Sequence, residues 1–384
     1  MEKLLLLGAS GSIGTQTLSF LKKAPNDFLL VGFSVGKRTR SISYLIKKYP
    51  SIRGIYMISN RKMKEYQKRF PHVKFFSGEK GILDLIDYTE PTLVENALVG
   101  FSGLVPTIHA LKKNLKVALA NKETLVVGGE LVNELLFQGH GSIYPIDSEH
   151  SAIWKCLKVD DQNVDKMIIT ASGGAFRKLN RDELKNVTAK DALAHPTWKM
   201  GAKITIDCAT MVNKSFEIIE AHYLFNYPIE KIMVLLHEES HIHSMIKYHD
   251  GTYRAEISKP DMRNPIRFAL YLGEAPFKTY TSDDYHKFGP YHFHDFDIKR
   301  YPIVRFASKV IEEKGTYGAV FNASNEEAVY EFLKGNIPFL AIEEIITILM
   351  NKHVNKVHPT LEDLILVDQK TREEVHQLIK EGRY

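Results

Sequence analysis

Three carboxylates, Asp147, Glu149 and Glu217, stand in segments that also carry hydroxyl, amide and ammonium donors. Asp147 and Glu149 belong to Ile143-Tyr144-Pro145-Ile146-Asp147-Ser148-Glu149-His150, at the exit of an apolar run. If that segment is extended the two carboxylates point the same way, because strand side chains alternate. Two hard carboxylates on one face suit Mg2+ or Mn2+ better than Zn2+, although an exposed strand end has the same composition. Glu217 lies in Met211-Val212-Asn213-Lys214-Ser215-Phe216-Glu217. On a helix Asn213 and Glu217 are i,i+4 and Lys214 and Glu217 are i,i+3, so the three share a face. A surface lattice of polar side chains has that spacing too. Ala171-Ser172-Gly173-Gly174-Ala175-Phe176-Arg177 follows an apolar run and offers hydroxyl and backbone donors to a phosphate. His195-Pro196-Thr197-Trp198-Lys199-Met200-Gly201 reads as a loop with an exposed Trp198, either a water-excluding lid or a loop anchored by its indole. His241 and His243 are two apart. No cysteine or further spaced histidine completes a zinc site around them, which favours a structural role.

A second constellation opens the chain. Gly8-Ala9-Ser10-Gly11-Ser12-Ile13-Gly14 directly follows the apolar run Leu4–Leu7, and a helical pattern starts within it. Glycines at these positions allow a tight turn and close backbone approach to a pyrophosphate, and the helix N-terminus adds free N–H groups. A site for NAD would carry Asp or Glu at the end of the second strand. Here the chain reads Ser34-Val35-Gly36-Lys37-Arg38-Thr39-Arg40, a carboxylate-free basic turn that suits the 2′-phosphate of NADP. Asn121-Lys122-Glu123 follows another apolar run. That run ends where a parallel sheet opens its ligand crevice, but a plain helix start has the same residues.

The elements that must position these residues follow from the pattern. Leu4–Leu7, Phe28–Phe33, Gly54–Ile58, Leu93–Leu98 and Leu115–Ala120 read as strands with amphipathic helices between them, which predicts a parallel sheet covered by helices. Farther on, Met167–Thr170, Ile204–Ile206, Ile232–Leu236 and Tyr253–Ile257 read as strands, and Ser151–Lys158 and Met211–Leu224 as helices. From Val304 onward the pattern is helical, broken at Gly335, Pro338 and Pro359. The expected fold class is α/β. A Rossmann-like dinucleotide-binding domain over 1–145 precedes an α+β catalytic and dimerisation domain over 146–275. A connecting segment over 276–300 and a C-terminal helical bundle domain over 301–384 complete the chain.

Composition agrees. The 384 residues are 44% hydrophobic and 25% charged, with a net charge of +5, the balance of a globular protein. The two cysteines, Cys156 and Cys208, argue against a disulfide framework and for a reducing, cytoplasmic setting. No stretch approaches the ~20 apolar residues of a membrane span, and Leu4–Leu7 is too short for a secretory signal. The basic run Arg61–Arg69 reads as a solvated helix face, so no nucleic acid and no membrane is expected as a partner.

Taken in order, Gly8–Gly14, Ala120–Glu123, Pro145–Ser151, Thr170–Arg177, His195–Leu224, Ser240–Met245, Asp261-Met262-Arg263 and Asn322-Ala323-Ser324-Asn325-Glu326 resemble the 1-deoxy-D-xylulose 5-phosphate reductoisomerase family. The resemblance implies a homodimeric oxidoreductase of non-mevalonate isoprenoid precursor biosynthesis. Such an enzyme uses NADPH and one Mg2+ or Mn2+ to turn a sugar phosphate, 1-deoxy-D-xylulose 5-phosphate, into 2-C-methyl-D-erythritol 4-phosphate. It implies that Asp147, Glu149 and Glu217 hold the metal. Ser148, Ser172, His195, Trp198, Cys208, Asn213, Lys214 and Ser240 would contact the substrate, together with Lys122, Glu149 and Glu217. Lys122, Glu149, His150 and His243 would be the catalytic set, and Met200 would join Trp198 in a flap. NADPH would be met by Gly8, Ser10, Gly11, Ser12, Ile13, Gly14, Gly36, Lys37, Arg38, Asn121, Glu123 and Gly201. Cys208 stands where the family usually has a phosphate-binding Ser, Ser215 where it has Gly, and Ser10 where Thr is frequent. A thiol is the weaker donor. Two other readings keep the glycine loop: a plain NADP-dependent dehydrogenase of another phosphorylated substrate, and a non-catalytic dinucleotide sensor. Neither has a use for three carboxylates beside phosphate donors.

Overall fold

The computed structural model describes residues 1–274, 276 and 289–382. Its contacts divide the chain into two units, residues 1–121, 132–147 and 262–280, and residues 122–131, 148–261 and 281–384.

The first unit is built on seven parallel strands: β1 (Glu2–Leu7), β2 (Phe28–Val35), β3 (Gly54–Met57), β4 (Lys74–Phe76), β5 (Leu93–Asn96), β6 (Lys116–Leu119) and β7 (Ser142–Pro145). Their order is β4-β3-β2-β1-β5-β6-β7, and every pairing is parallel. The central strand β1 is buried on both faces from Leu4 to Leu7, as expected of a strand sandwiched between helix layers. The strand order reverses beside β1, so the loop that follows it opens into the crevice where such sheets bind ligands. The short strand β4 is not among the expected elements, because Lys74-Phe75-Phe76 offers only three residues to a pattern search; β7 carries the extended reading of the segment before Asp147 only as far as Pro145. The helix Asn60–Arg69 buries none of its residues, in keeping with a solvated basic face.

The second unit carries β8 (Val164–Ala171), β9 (Ile232–Leu236), β10 (Ile242–Tyr248), β11 (Tyr253–Ile257) and β12 (His294–Asp295), in the order β11-β10-β8-β9-β12. Among the described residues only β8 and β9 run parallel there. Ile204–Ile206, expected as a strand, lies inside the helix Ala202–Thr210. Three β-branched residues look like a strand locally, but Ile206 and Ala209 are buried one helical turn apart, and that packing outweighs propensity.

The contact units cut across the domain limits read from the sequence. Ile266, Ala269 and Leu270 belong to the core of the first unit. Phe321 and Ile346 of the helical tail share one core with Met167 and Phe216, so this tail does not bury a core of its own. Within the expected connecting segment, 277–288 lie outside the described residues. Among the described residues, no helix is long and apolar enough to cross a membrane.

Candidate active site

The cofactor loop is shaped by glycines that nothing larger can replace. Gly8 has φ +91°, and a Cβ there would meet the carbonyl oxygen of Ala97 at 2.4 Å. A Cβ on Gly14 would lie 2.4 Å from the carbonyl oxygen of Gly8. The Gly8 N–H donates to Ser34 Oγ at 2.8 Å, which ties the loop to the end of β2. The helix Ser12–Leu21 starts at Gly11 with no side chain capping it, so its first N–H groups and positive dipole end face outward for an anion. Lys37 and Arg38 are exposed on the turn after β2, with Gly36 half-buried before them. This donor set fits a dinucleotide carrying a 2′-phosphate. Asn121 is buried, and its amide donates to the carbonyls of Leu98 at 3.0 Å and Gly100 at 2.9 Å. It shapes the chain after β6.

In the second unit, Glu149 and Glu217 are placed around the helix Val212–Phe225, which is buried from Val212 to Ala221. Met211, in the left-handed region at φ +66°, separates it from the helix Ala202–Thr210 and aims its first turn. Glu217 is 1% exposed and receives three donors. Lys122 Nζ lies 3.1 Å from its Oε1, Asn213 Nδ2 bonds the same oxygen, and Lys214 Nζ bonds Oε2. Lys122 also reaches Asn213 Oδ1 at 2.8 Å. Lys214 reaches Glu149 Oε1 at 3.2 Å and the carbonyl of Thr170 at 2.6 Å. Asp147, Glu149 and Glu217 each offer an oxygen, all within 4.8 Å of one another. Three hard oxygen donors at that spacing fit Mg2+ or Mn2+.

The route to this convergence differs from the sequence expectation. Glu149 sits in the first turn of the helix Ser148–Leu157, not on an extended strand end. Asp147 and Glu149 therefore converge across a helix start rather than by alternation along a strand. Ser148 Oγ donates to Glu149 Oε2. His150 is fully buried, with Nε2 2.9 Å from the carbonyl oxygen of Glu217 and Nδ1 3.6 Å from Glu220 Oε2. Its ring thus braces the site helix.

Beside the cluster, Gly173 (φ +86°) and Gly174 (φ +69°) turn the chain after β8. A Cβ on Gly174 would meet the Cys208 carbonyl at 2.6 Å, so the loop packs against the end of the helix Ala202–Thr210. Ser172 Oγ lies 3.2 Å from His195 Nε2. His195 Nδ1 accepts the N–H groups of Thr197 at 3.3 Å and Trp198 at 3.0 Å, which assigns the ring proton to Nε2. Burial, with the nearby Arg177 charge, lowers the His195 pKa to about 4, and the ring is neutral at pH 7. Ser172 accepts from His195 and from the Gly174 N–H at 3.4 Å, which leaves its own hydroxyl proton for an incoming anion. Ser240 is nearly buried at φ +57°, and its Oγ lies 3.3 Å from Thr197 Oγ1. Trp198 is half-buried rather than exposed, its ring centroid 6.1 Å from that of His243. His243 Nε2 meets Ser258 Oγ at 3.0 Å. Met200 is half-buried beside the exposed Gly201, which begins the helix Ala202–Thr210. Burial, with Glu217 nearby, pushes the Cys208 thiol up to about 12, so it stays protonated and can only donate weakly.

Glu123 Oε1 lies 2.8 Å from Lys203 Nζ, and both side chains are buried. Lys203 was missed by sequence reasoning. Its i,i+4 spacing to Asp207 is present in the chain, but the strand expected over Ile204–Ile206 between them masks the helical register. Thr170 was missed as well, since a backbone carbonyl ligand to Lys214 leaves no side-chain signal.

A parallel sheet whose order reverses at a glycine loop, together with an oxygen-lined site in an α+β layer, defines the class: an α/β protein with a Rossmann-like first unit. Three family models match, described as 1-deoxy-D-xylulose 5-phosphate reductoisomerase over residues 4–129, its C-terminal domain over 143–225, and a DXP reductoisomerase C-terminal domain over 257–374. The 1-deoxy-D-xylulose 5-phosphate reductoisomerase of Geobacillus kaustophilus is 44% identical over 99% of this chain and 100% of its own. That of Bacillus cereus strain AH187 is 43% identical with the same coverage. A reductoisomerase crystallised with NADPH, fosmidomycin and magnesium superposes with a TM-score of 0.92 at 30% identity, over 99% of this chain and 98% of its own. The Zymomonas mobilis reductoisomerase with NADPH gives 0.90 at 32%, over 98% and 99%. The chain belongs to the 1-deoxy-D-xylulose 5-phosphate reductoisomerase family.

Proposed function

We propose that the chain converts 1-deoxy-D-xylulose 5-phosphate to 2-C-methyl-D-erythritol 4-phosphate with NADPH and one divalent cation, in isoprenoid precursor synthesis. The observation that carries the reading is the convergence of Asp147, Glu149 and Glu217 within 4.8 Å beside two buried ammonium groups, Lys122 and Lys214. Family membership and relatives crystallised with NADPH and magnesium support it.

In this reading Asp147, Glu149 and Glu217 hold the cation, which supplies Lewis acidity toward substrate oxygens, while NADPH supplies a hydride. Ser172 donates its hydroxyl proton to the phosphate, with its oxygen fixed by His195. Asn213 and Lys214, in the buried first turn of the site helix, supply amide and ammonium donors to the same group. Ser240 and Cys208 complete that end, the thiol contributing little. Lys122 Nζ, held on Asn213 and Glu217, stabilises negative charge developing on a substrate oxygen. The segment carrying Trp198 and Met200 covers the bound substrate and excludes water from the reactive fragments.

In the first unit, the N–H groups of Ser12 and Ile13 receive the pyrophosphate, and Lys37 and Arg38 grip the 2′-phosphate. The resemblance to the family supports a homodimer. Two free cysteines support a cytoplasmic, reducing setting. NADPH oxidation with 1-deoxy-D-xylulose 5-phosphate, with and without Mn2+, tests the proposal. Turnover that requires both is expected. No turnover with metal present refutes it, and metal-independent turnover points to a plain dehydrogenase.

A further inference from the structure

Glu95 is a carboxyl group buried inside the first unit, and the chemistry above makes no use of it. It lies in β5, with Leu6 of β1 and Ala118 of β6 as its strand partners, and is fully buried. Its Oε1 is 2.6 Å from Thr17 Oγ1. Thr17 is itself buried in the helix Ser12–Leu21, which leads out of the glycine loop. Thr17 Oγ1 also lies 3.2 Å from the carbonyl oxygen of Ile13, one turn back. Asn96, the next residue of β5, points to the opposite face, as strand side chains alternate, and its amide bonds Gly103 and Thr107.

Counting protons decides how these groups are joined. A hydroxyl has one proton to donate, and a carboxyl group donates only when protonated. If Thr17 gives its proton to Glu95, the approach to the Ile13 carbonyl lacks a donor. If Thr17 gives it to Ile13, Glu95 donates to Thr17, and both bonds are made. The second arrangement leaves Glu95 Oε2, which has no hydrogen-bond partner, as the C=O of a neutral acid. A bare carboxylate oxygen in the same place would cost far more. Burial acts in the same direction. It raises the Glu95 pKa to about 8 against the Thr17 hydrogen bond, and among the described residues no charged side chain acts on the group. A line of donors thus runs from the sheet, through the Thr17 hydroxyl, into the first turn of the phosphate helix.

We propose that Glu95, as a neutral acid, is a positioning residue for NADPH: through Thr17 it holds the first turn of the helix Ser12–Leu21 for the pyrophosphate, and its ionisation releases that turn and places a negative charge behind it. The proposal rests on the reading of the glycine loop as the NADPH site. Glu95→Gln in the full-length chain is the test, because the amide still donates to Thr17 and cannot ionise. The parental Kd for NADPH, read from fluorescence, should rise about fivefold or more between about pH 7 and about pH 9.5, the worth of one ~1 kcal/mol hydrogen bond at about 1.4 kcal/mol per tenfold. Glu95→Gln should bind within about twofold of the parent at the lower pH and show no such rise.

Urea unfolding separates positioning from a purely structural acid. The folded pKa of about 8 lies above the ordinary 4.5, so the folded chain holds the extra proton and parental stability falls as pH rises from 4.5 toward 8. Glu95→Gln should lose that slope. A lost slope with coincident NADPH profiles would overturn the proposal, as would a Glu95→Gln Kd already raised about fivefold at the lower pH. No NADPH binding by the parent at any pH would overturn it together with the glycine-loop reading, whereas parental binding with coincident profiles overturns the positioning alone. If Glu95→Gln does not fold, Thr17→Val, which keeps the shape and removes the hydroxyl, should bind NADPH about fivefold more weakly at the lower pH. Parental affinity in that variant would overturn the proposal.

Discussion

Glu217→Gln separates metal binding from cofactor binding. The substitution keeps the volume and one oxygen but removes a charge from the most enclosed carboxylate of the cluster, which accepts from Lys122, Asn213 and Lys214. Two consequences have different sizes. Without metal, Lys122 and Lys214 lose their shared counter-charge. Removing one partner of a buried ion pair costs roughly 3–5 kcal/mol, an upper figure here because the amide oxygen can still accept one hydrogen bond. With metal, one of three carboxylate ligands is gone. Loss of a partner outside the ligand shell already weakens metal binding 10- to 100-fold, so loss of a ligand should weaken it by more than ~100-fold, or about 2.8 kcal/mol at 1.4 kcal/mol per tenfold. Calorimetric titration with Mn2+ measures the second quantity, and urea unfolding of the metal-free protein the first. NADPH affinity, read from fluorescence, should be unchanged. Parental Mn2+ affinity or retained turnover in Glu217→Gln would remove Glu217 from the metal set.

His195→Asn should raise KM for the sugar phosphate several-fold with kcat less affected, because Ser172 loses the donor that orients its oxygen; an unchanged KM would contradict this. The same residue sets a pH dependence. Its folded pKa of about 4 lies below the ordinary 6.5, so the unfolded chain binds the extra proton first and stability falls as pH drops from about 6.5 toward 4. Unfolding titrations across that window should show less slope in His195→Asn, and an identical slope would refute the assignment. Cys208→Ser should remain active with a lower KM, and the parental thiol, pushed up to about 12 by burial, should react slowly with iodoacetamide at pH 8; a dead serine variant would mean the sulfur has another role. Lys37→Ala with Arg38→Ala should weaken NADPH by roughly 10- to 100-fold, as expected for losing charge-assisted bonds of about 1.5–3 kcal/mol, and leave NADH nearly unaffected. Equal losses for both cofactors would displace the 2′-phosphate from this turn.

Much of this arrangement is legible in the chain because each feature has a local signal. The run Leu4–Leu7 followed by Gly8–Gly14 marks a central strand and its phosphate loop, and both are where the pattern puts them. Asn213, Lys214 and Glu217 share a helix face by spacing alone, and the helix Val212–Phe225 presents them so. Features fixed by tertiary contact are not legible. Glu149 meets Glu217 through folding of separate segments, and its own backbone is helical, against the strand reading. Lys203 sits in a run whose β-branched residues conceal a helix, so its bonds to Glu123 and Asp207 leave no trace until the second unit packs. The bond from His150 to the backbone of Glu217 joins residues 67 positions apart and has no local signal either. The strand β4 is too short to carry a period.

The central claim is that one site rearranges a carbon skeleton before reducing it. Nuclear magnetic resonance of the product formed from carbon-13-labelled 1-deoxy-D-xylulose 5-phosphate, NADPH and Mn2+ tests this most directly. The account predicts a branched four-carbon chain bearing the methyl group, 2-C-methyl-D-erythritol 4-phosphate. A straight-chain five-carbon alditol phosphate, from direct reduction of the ketone, would contradict it.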